Sequence, residues 1–231
     1  MYYGYYDYTY IFVVIAFFIT LIADIMVKSN YNRYKDIYCK SGLTGREVAR
    51  KILDVNGLSD IKVVEVAGTL TDHYDPTKRT VSLSTDIYKD SSIASIAVAA
   101  HECGHAIQDK IGYTFLKIRH KLVPTVNLCS KLGYIVIFIG IIFGMFELSL
   151  VGLILLSAIL IFQLVTLPVE FNASKRAKEE LRKLNIVDND DYTGVSSMLM
   201  AAAMTYVASL ASTLLQLFRM FLIVVNNRRD D

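Results

Sequence analysis

The run His101-Glu102-Cys103-Gly104-His105 is the most chemically specific part of the chain. On a helix, residues four apart share a face, so the two imidazoles can reach one metal ion from adjacent turns. Glu102, beside the first histidine, can take a proton from a metal-bound water. Zn²⁺ lowers the pKa of such a water toward about 7 and so provides hydroxide at neutral pH. The plainer alternative is two histidines making polar contacts on a helix. The context favours the chemistry, because Ile93, Ile96, Ala97 and Ala100 lead into the motif without Pro or Gly. The expected cofactor is Zn²⁺, with His101 and His105 as ligands and Glu102 as the base.

A catalytic zinc needs a third protein ligand. A histidine six residues after the second is absent, since Gln108 and Ile111 stand where that pattern needs Gly and His. No glutamate follows within 25 residues. The next two are Glu147, in an apolar hairpin, and Glu170, just past that hairpin. Glu170 shares a helical face with Ala173, Ala177, Leu181 and Leu184. A carboxylate on such a small apolar face needs a partner, and Zn²⁺ would supply one. A carboxylate favouring its helix N-terminus is the bland alternative. Asp109 is a rival because it continues the 101, 105, 109 face, although such a residue is more often solvated or holds a ligand in place. His73 and His120 are weaker candidates. His73 could bind a transition-state oxyanion or simply sit in a turn, and the turn is preferred.

What positions these groups is a mostly apolar chain. Of 231 residues, 54% are hydrophobic and 20% charged, with a mean hydropathy of +0.41. Residues 8–23, 132–146, 148–169 and 192–218 carry no charge. A bilayer span takes roughly 20 apolar residues, so the chain is an integral membrane protein rather than a secreted globule or a disordered segment. The net charge of +2 is too mild to suggest nucleic acid as a partner. Cys39, Cys103 and Cys129 form no disulfide-like pattern and fit a reducing compartment. Tryptophan is absent. Tyr2, Tyr3, Tyr5, Tyr6, Tyr8 and Tyr10 would therefore supply an interfacial belt. With no Lys or Arg before residue 28, the first apolar segment is a retained span and not a signal peptide.

Lys28, Arg33, Lys35 and Lys40 follow that span; Lys117, Arg119, Lys121 and Lys131 precede the next; Lys175, Arg176 and Lys178 follow the third. The positive-inside rule then puts all these flanks in the cytoplasm and Glu147 outside. The expected layout is a tyrosine-rich N-terminus (1–9), spans at 10–27, 132–146 and 148–167, and a cytoplasmic portion (28–131) bearing the HExxH helix. A cytoplasmic helix (168–194) follows, opening after Pro168. A last apolar segment (198–225) either spans or packs on protein, with Arg228, Arg229, Asp230 and Asp231 beyond it. Within 28–131, Thr44 and Glu47 have capping-box spacing ahead of a helix that stops at Gly57. Ile61–Val66 reads as a strand, His73–Pro76 as a turn and Thr80–Ser84 as a short alternating strand. Asp90 or Ser91 caps the HExxH helix, with Gly112 beyond its end.

The segments HECGHAIQ (101–108), LPVEFNASKRA (167–177), DHYDPTKRTVSLS (72–84) and AAAMTYVASL (201–210) resemble the YugP-like membrane zinc metallopeptidases of bacteria. The likeness covers most of the chain. It extends to the gluzincin membrane proteases of HtpX and CAAX-prenyl type, which join HExxH to a glutamate beyond a transmembrane hairpin in a Glu-x-x-x-Asp motif. The resemblance implies a mainly α membrane protein with a small α+β, zincin-like cytoplasmic catalytic domain in the bacterial plasma membrane. It assigns His101, His105 and Glu170 to zinc and Glu102 to the base. One departure stands out: Ser174 occupies the place of the wider relatives' Asp. The resemblance also implies a peptide or membrane-protein substrate that adds a strand beside the active-site helix. Thr80–Ser84, with Ser82 and Leu83 at its centre, is the candidate edge. Two other readings compete with a cytoplasm-facing endopeptidase. A site-2-type intramembrane protease would need HExxH inside a span, but the apolar run before His101 covers only 93–100 and Ile25, not Gly, follows Asp24. A non-catalytic scaffold with a structural zinc would have no need of Glu102.

Overall fold

The computed structural model describes residues 8–227. Tyr2, Tyr3, Tyr5 and Tyr6 at one end, and Arg228, Arg229, Asp230 and Asp231 at the other, lie outside the described residues. The elements are α1 (Tyr10–Tyr34), α2 (Gly45–Val55), β1 (Lys62–Val66), β2 (His73–Asp75), β3 (Thr80–Ser84), α3 (Thr85–Lys89), α4 (Ile93–Lys110), α5 (Thr114–Ile142), α6 (Phe146–Lys183) and α7 (Asn189–Asn227). The protein is mainly α-helical, and α1, α5, α6 and α7 are long and apolar enough to cross a membrane. The chain divides into two compact units. One comprises the chain up to Ala23, Ile118–Thr166 and Thr205 onward; the other comprises Asp24–Lys117 and Leu167–Met204.

The second unit is an α+β body. The Thr44 hydroxyl accepts from the Glu47 N–H while the Glu47 carboxylate accepts from the Thr44 N–H, so both halves of the capping box are made. Val48, Ala49, Ile52 and Leu53 then face the core without exposure. Fully burying an aliphatic side chain of this size stabilises by roughly 1.5–3 kcal/mol. The helix ends at Asn56, and Gly57 takes φ +64°, where only glycine avoids strain. The cap of α4 is Ser92, not Asp90 or Ser91: its hydroxyl accepts from the Ser95 N–H. Among the described residues, α4 is buried on nearly every side. Its run of Ala94, Ala97, Ala99, Ala100 and Ala106 lets neighbouring backbones come close.

The sheet order is β1-β3-β2, with β1 parallel and β2 antiparallel to β3. Two expectations change here. His73–Asp75 is a strand and not a turn, because its main chain pairs with Thr80–Ser82 and the reversal falls on Pro76–Arg79. Thr80–Ser84 is the middle strand and not an edge, with β1 along its whole length on one side. Among the described residues, the sheet's free edges belong to β1 and β2. Ser82 is 4% exposed and Leu83 fully buried, so neither offers an open main chain to an added strand.

The helices also outrun the apolar segments that signalled them. The stretch before the 132–146 segment belongs to α5, which carries Pro124, Gly133 and Gly140 inside it and lies between Gly112 and Gly144, the two glycines here with positive φ. Glu147 lies in the first turn of α6 instead of in the hairpin turn. Pro168 opens no new helix and sits inside α6. Proline removes one backbone hydrogen bond and often kinks a helix. Here Val169, Ala173, Ala177 and Leu181 are all buried on one face, and that packing carries the helix through.

Candidate metal centre

α4 presents His101 and His105 one turn apart, their rings edge to face with centroids 4.8 Å apart. α6 supplies the third group. Glu170 is 2% exposed, and its Oε2 lies 3.4 Å from His101 Nε2 and 3.6 Å from His105 Nε2. One ligand atom from each of the three falls within 4.8 Å of the others. These separations are long for a hydrogen bond, which prefers about 2.7–3.2 Å. The two carboxylate–imidazole distances are close to the edge, about 3.3–3.4 Å, of a tetrahedron with bonds of about 2.0–2.1 Å, the range for zinc with nitrogen or carboxylate oxygen. Two imidazole nitrogens and a carboxylate oxygen are a zinc-type donor set, and the three residues fit that ion.

The close approach of α4 and α6 depends on Gly104. A Cβ at this position would lie 2.5 Å from the carbonyl oxygen of Ala173. The glycine between the two histidines thus lets the α6 backbone rest against α4, which brings Glu170 and Ser174 within reach of the rings.

The other imidazole nitrogens are also held. Ser174 Oγ lies 3.2 Å from His101 Nδ1. Gln108 is fully buried, and its Oε1 lies 3.0 Å from His105 Nδ1. Its amide nitrogen donates to the Val169 carbonyl (2.7 Å) and to Asn172 Oδ1 (3.1 Å). Partners of this kind fix ring orientation and tautomer. Burial disfavours charge on His105, but the facing Glu170 carboxylate, the Glu102 charge and Gln108 outweigh it and raise the imidazole's pKa.

Glu102 is 8% exposed, buried beside the first histidine. Near it lies Asp72, whose carboxyl is pushed up chiefly by burial, with the Glu102 charge adding to this; the Ser84 N–H and hydroxyl donate to it and pull the other way. Cys103 is fully buried. Its thiol approaches the Ala49 carbonyl at 3.6 Å, and burial followed by the Glu102 charge raises its pKa. It is not a member of the His101–His105–Glu170 group.

Asp109 is placed elsewhere. Its Oδ2 accepts from the Tyr74 hydroxyl at 2.9 Å, which ties β2 to α4. His73 is on β2 and exposed, with a ring nitrogen 2.9 Å from the Thr71 carbonyl. His120 lies on α5. Sequence reasoning missed Gln108, Asn172, Gly104 and Asp72. Gln108 stands three residues beyond His105, the spacing at which helical side chains meet, and that was the available signal.

Residues 9–225 match the family described as "Putative neutral zinc metallopeptidase". The chain is 46% identical over 209 residues to the "Putative membrane protease YugP" of Bacillus subtilis (strain 168), covering 90% of this chain and 93% of that one. No solved structure gives a significant match. The likeness runs through the apolar helices and the histidine-bearing helix alike, and the chain belongs to the family of that description.

Proposed function

We propose that the protein is a membrane zinc endopeptidase whose centre is His101, His105 and Glu170, with Glu102 as the base, opening to the cytoplasm. The observation that carries this reading is the convergence of three zinc-type donor atoms from α4 and α6 beside a buried glutamate. Zn²⁺, when bound, would supply Lewis acidity to the scissile carbonyl and make a water acidic enough to lose its proton. Glu102 takes that proton and returns it to the leaving amine. Ser174 and Gln108 hold the two rings, and Gly104 sets the distance between the helices. An extended peptide adds to the free edge of β2, the outer strand tied to α4 through Tyr74 and Asp109. Main-chain pairing there gives affinity with little demand on sequence.

The Lys and Arg flanks support the cytoplasmic placement. Cysteines introduced near residues 40 and 180 should resist a membrane-impermeant thiol reagent in intact cells, and one beside Glu147 should react. Labelling at residue 40 in unbroken cells would refute the orientation. The activity is tested by metal content and casein-type proteolysis of detergent-purified protein, wild type beside Glu102→Gln. The amide cannot accept water's proton, so zinc should stay bound while hydrolysis falls by about 10²–10⁴. A loss under tenfold, about 1.4 kcal/mol of barrier, would remove Glu102 as the base.

A further inference from the structure

The hydrogen bonds behind His105 have a direction that can be read from their ends. The Val169 carbonyl can only accept, so Gln108 must turn its NH₂ toward it. The Arg176 guanidinium can only donate, and its Nε donates to Asn172 Oδ1 at 2.8 Å. Asn172 therefore turns its oxygen inward, and the Gln108 NH₂ meets that oxygen as well. Two independent anchors thus agree on one orientation of the Gln108 amide. Its oxygen is left facing His105 Nδ1 at 3.0 Å, and an oxygen without a proton requires Nδ1 to carry one. The lone pair of the neutral ring then sits on Nε2, the nitrogen that faces Glu170.

His101 differs. Its Nδ1 meets the Ser174 hydroxyl, which can rotate to donate or accept and so dictates neither tautomer. The ring next to the wider relatives' Asp position is free to choose, and the ring next to Gln108 is not.

We infer that Arg176, Asn172 and Gln108 form a proton lock on His105, keeping Nδ1 protonated with or without metal so that Nε2 is always the nitrogen offered to the cation. Gln108 is the positioning residue, and Asn172 and Arg176 fix its orientation from the far side. The inference rests on the reading of the cluster as a zinc site, and it adds that the site's polarity is set before the ion arrives.

The test is nitrogen NMR on the full-length, metal-free protein in detergent with ¹⁵N-histidine. There are four histidines, so each ring is assignable by single substitution. At a pH where the ring is neutral, His105 should carry its proton on Nδ1. Gln108→Leu should convert it to a mixture or to the Nε2–H form and weaken zinc binding by about ten- to a hundredfold in a chelator competition. Asn172→Leu should do the same to a smaller degree, and Ser174→Ala should leave the His105 tautomer unchanged. An Nε2–H tautomer at His105 in wild-type protein would overturn the lock, and this measurement needs no variant to fold. An unchanged tautomer in folded Gln108→Leu would overturn it as well. If wild-type protein bound no zinc, the metal reading and the lock's role in it would both fall. The wild-type tautomer separates that failure from a failure of the lock alone.

Discussion

In the unit that holds His101 and His105, the large apolar side chains are inside: Ile52, Leu53, Ile61, Leu83, Ile96 and Leu181 are fully buried. In the other unit many are outside: Phe17, Phe138, Phe143 and Ile154 are all more than half exposed. A small cluster around Ile137, Leu153 and Val224 is enclosed there, and small residues let the helices approach closely. A Cβ on Gly152 would lie 2.6 Å from the Ile137 nitrogen, and one on Gly133 would lie 2.9 Å from the Leu156 side chain. Water drives apolar groups inward. Lipid gives no such drive, so helices there associate through close backbone packing. The difference shows where precision resides. The apolar exterior needs only the right hydropathy, whereas the buried unit must hold three donor atoms to within a few tenths of an ångström.

The largest expected effect sharpens that contrast within the site itself. Glu170→Ala should lose bound zinc on dialysis as well as activity, because one of three donors is gone. Asp109→Ala should retain the metal and cost only about 1 kcal/mol from the lost Tyr74 hydrogen bond. Zinc content of the two dialysed proteins decides, and the reverse outcome would make Asp109 the ligand.

Next come paired truncations, one in each unit. Leu53→Ala should cost about 2–5 kcal/mol, read as a fall in thermal unfolding temperature in detergent. Phe138→Ala, at a residue 64% exposed, should stay within about 0.5 kcal/mol of wild type. Equal losses would break the comparison. Gly104→Ala should cost about 1–3 kcal/mol from forcing α4 and α6 apart. Its zinc affinity should also fall, because Glu170 moves with α6. Unchanged affinity would mean that the α4–α6 spacing is not what sets the donor geometry.

What could be read from the sequence follows the same divide. Local signals were legible: the capping box at Thr44 and Glu47, the stop at Gly57, the apolar segments, and the i,i+4 histidines. Where a feature depends on what lies across the fold, the chain was silent. Alternation along Thr80–Ser84 marks a strand but not its neighbours, so it cannot tell the edge that the resemblance implies from the middle strand that the fold contains. Pro168 is a local breaker overruled by four buried residues after it on α6. Gly104 reads as a weak spot in a helix until the Ala173 carbonyl is seen against it. The pairing of His101 and His105 with Glu170 was reachable only because few glutamates were available. Gln108 was passed over because its hydrogen bonds end on α6, more than sixty residues away.

The thiol in the middle of the motif has a consequence for handling the protein. Oxidants and alkylating agents attack thiolates that solvent can reach. Cys103 offers neither property: it is wholly enclosed, and burial and the Glu102 charge keep its proton on. The residue two places from each histidine is therefore inert filler. Peroxide or iodoacetamide at levels that modify exposed cysteines should leave the centre working. In a Cys129→Ala background, modification of Cys103 by such reagents would report opening of the structure around α4.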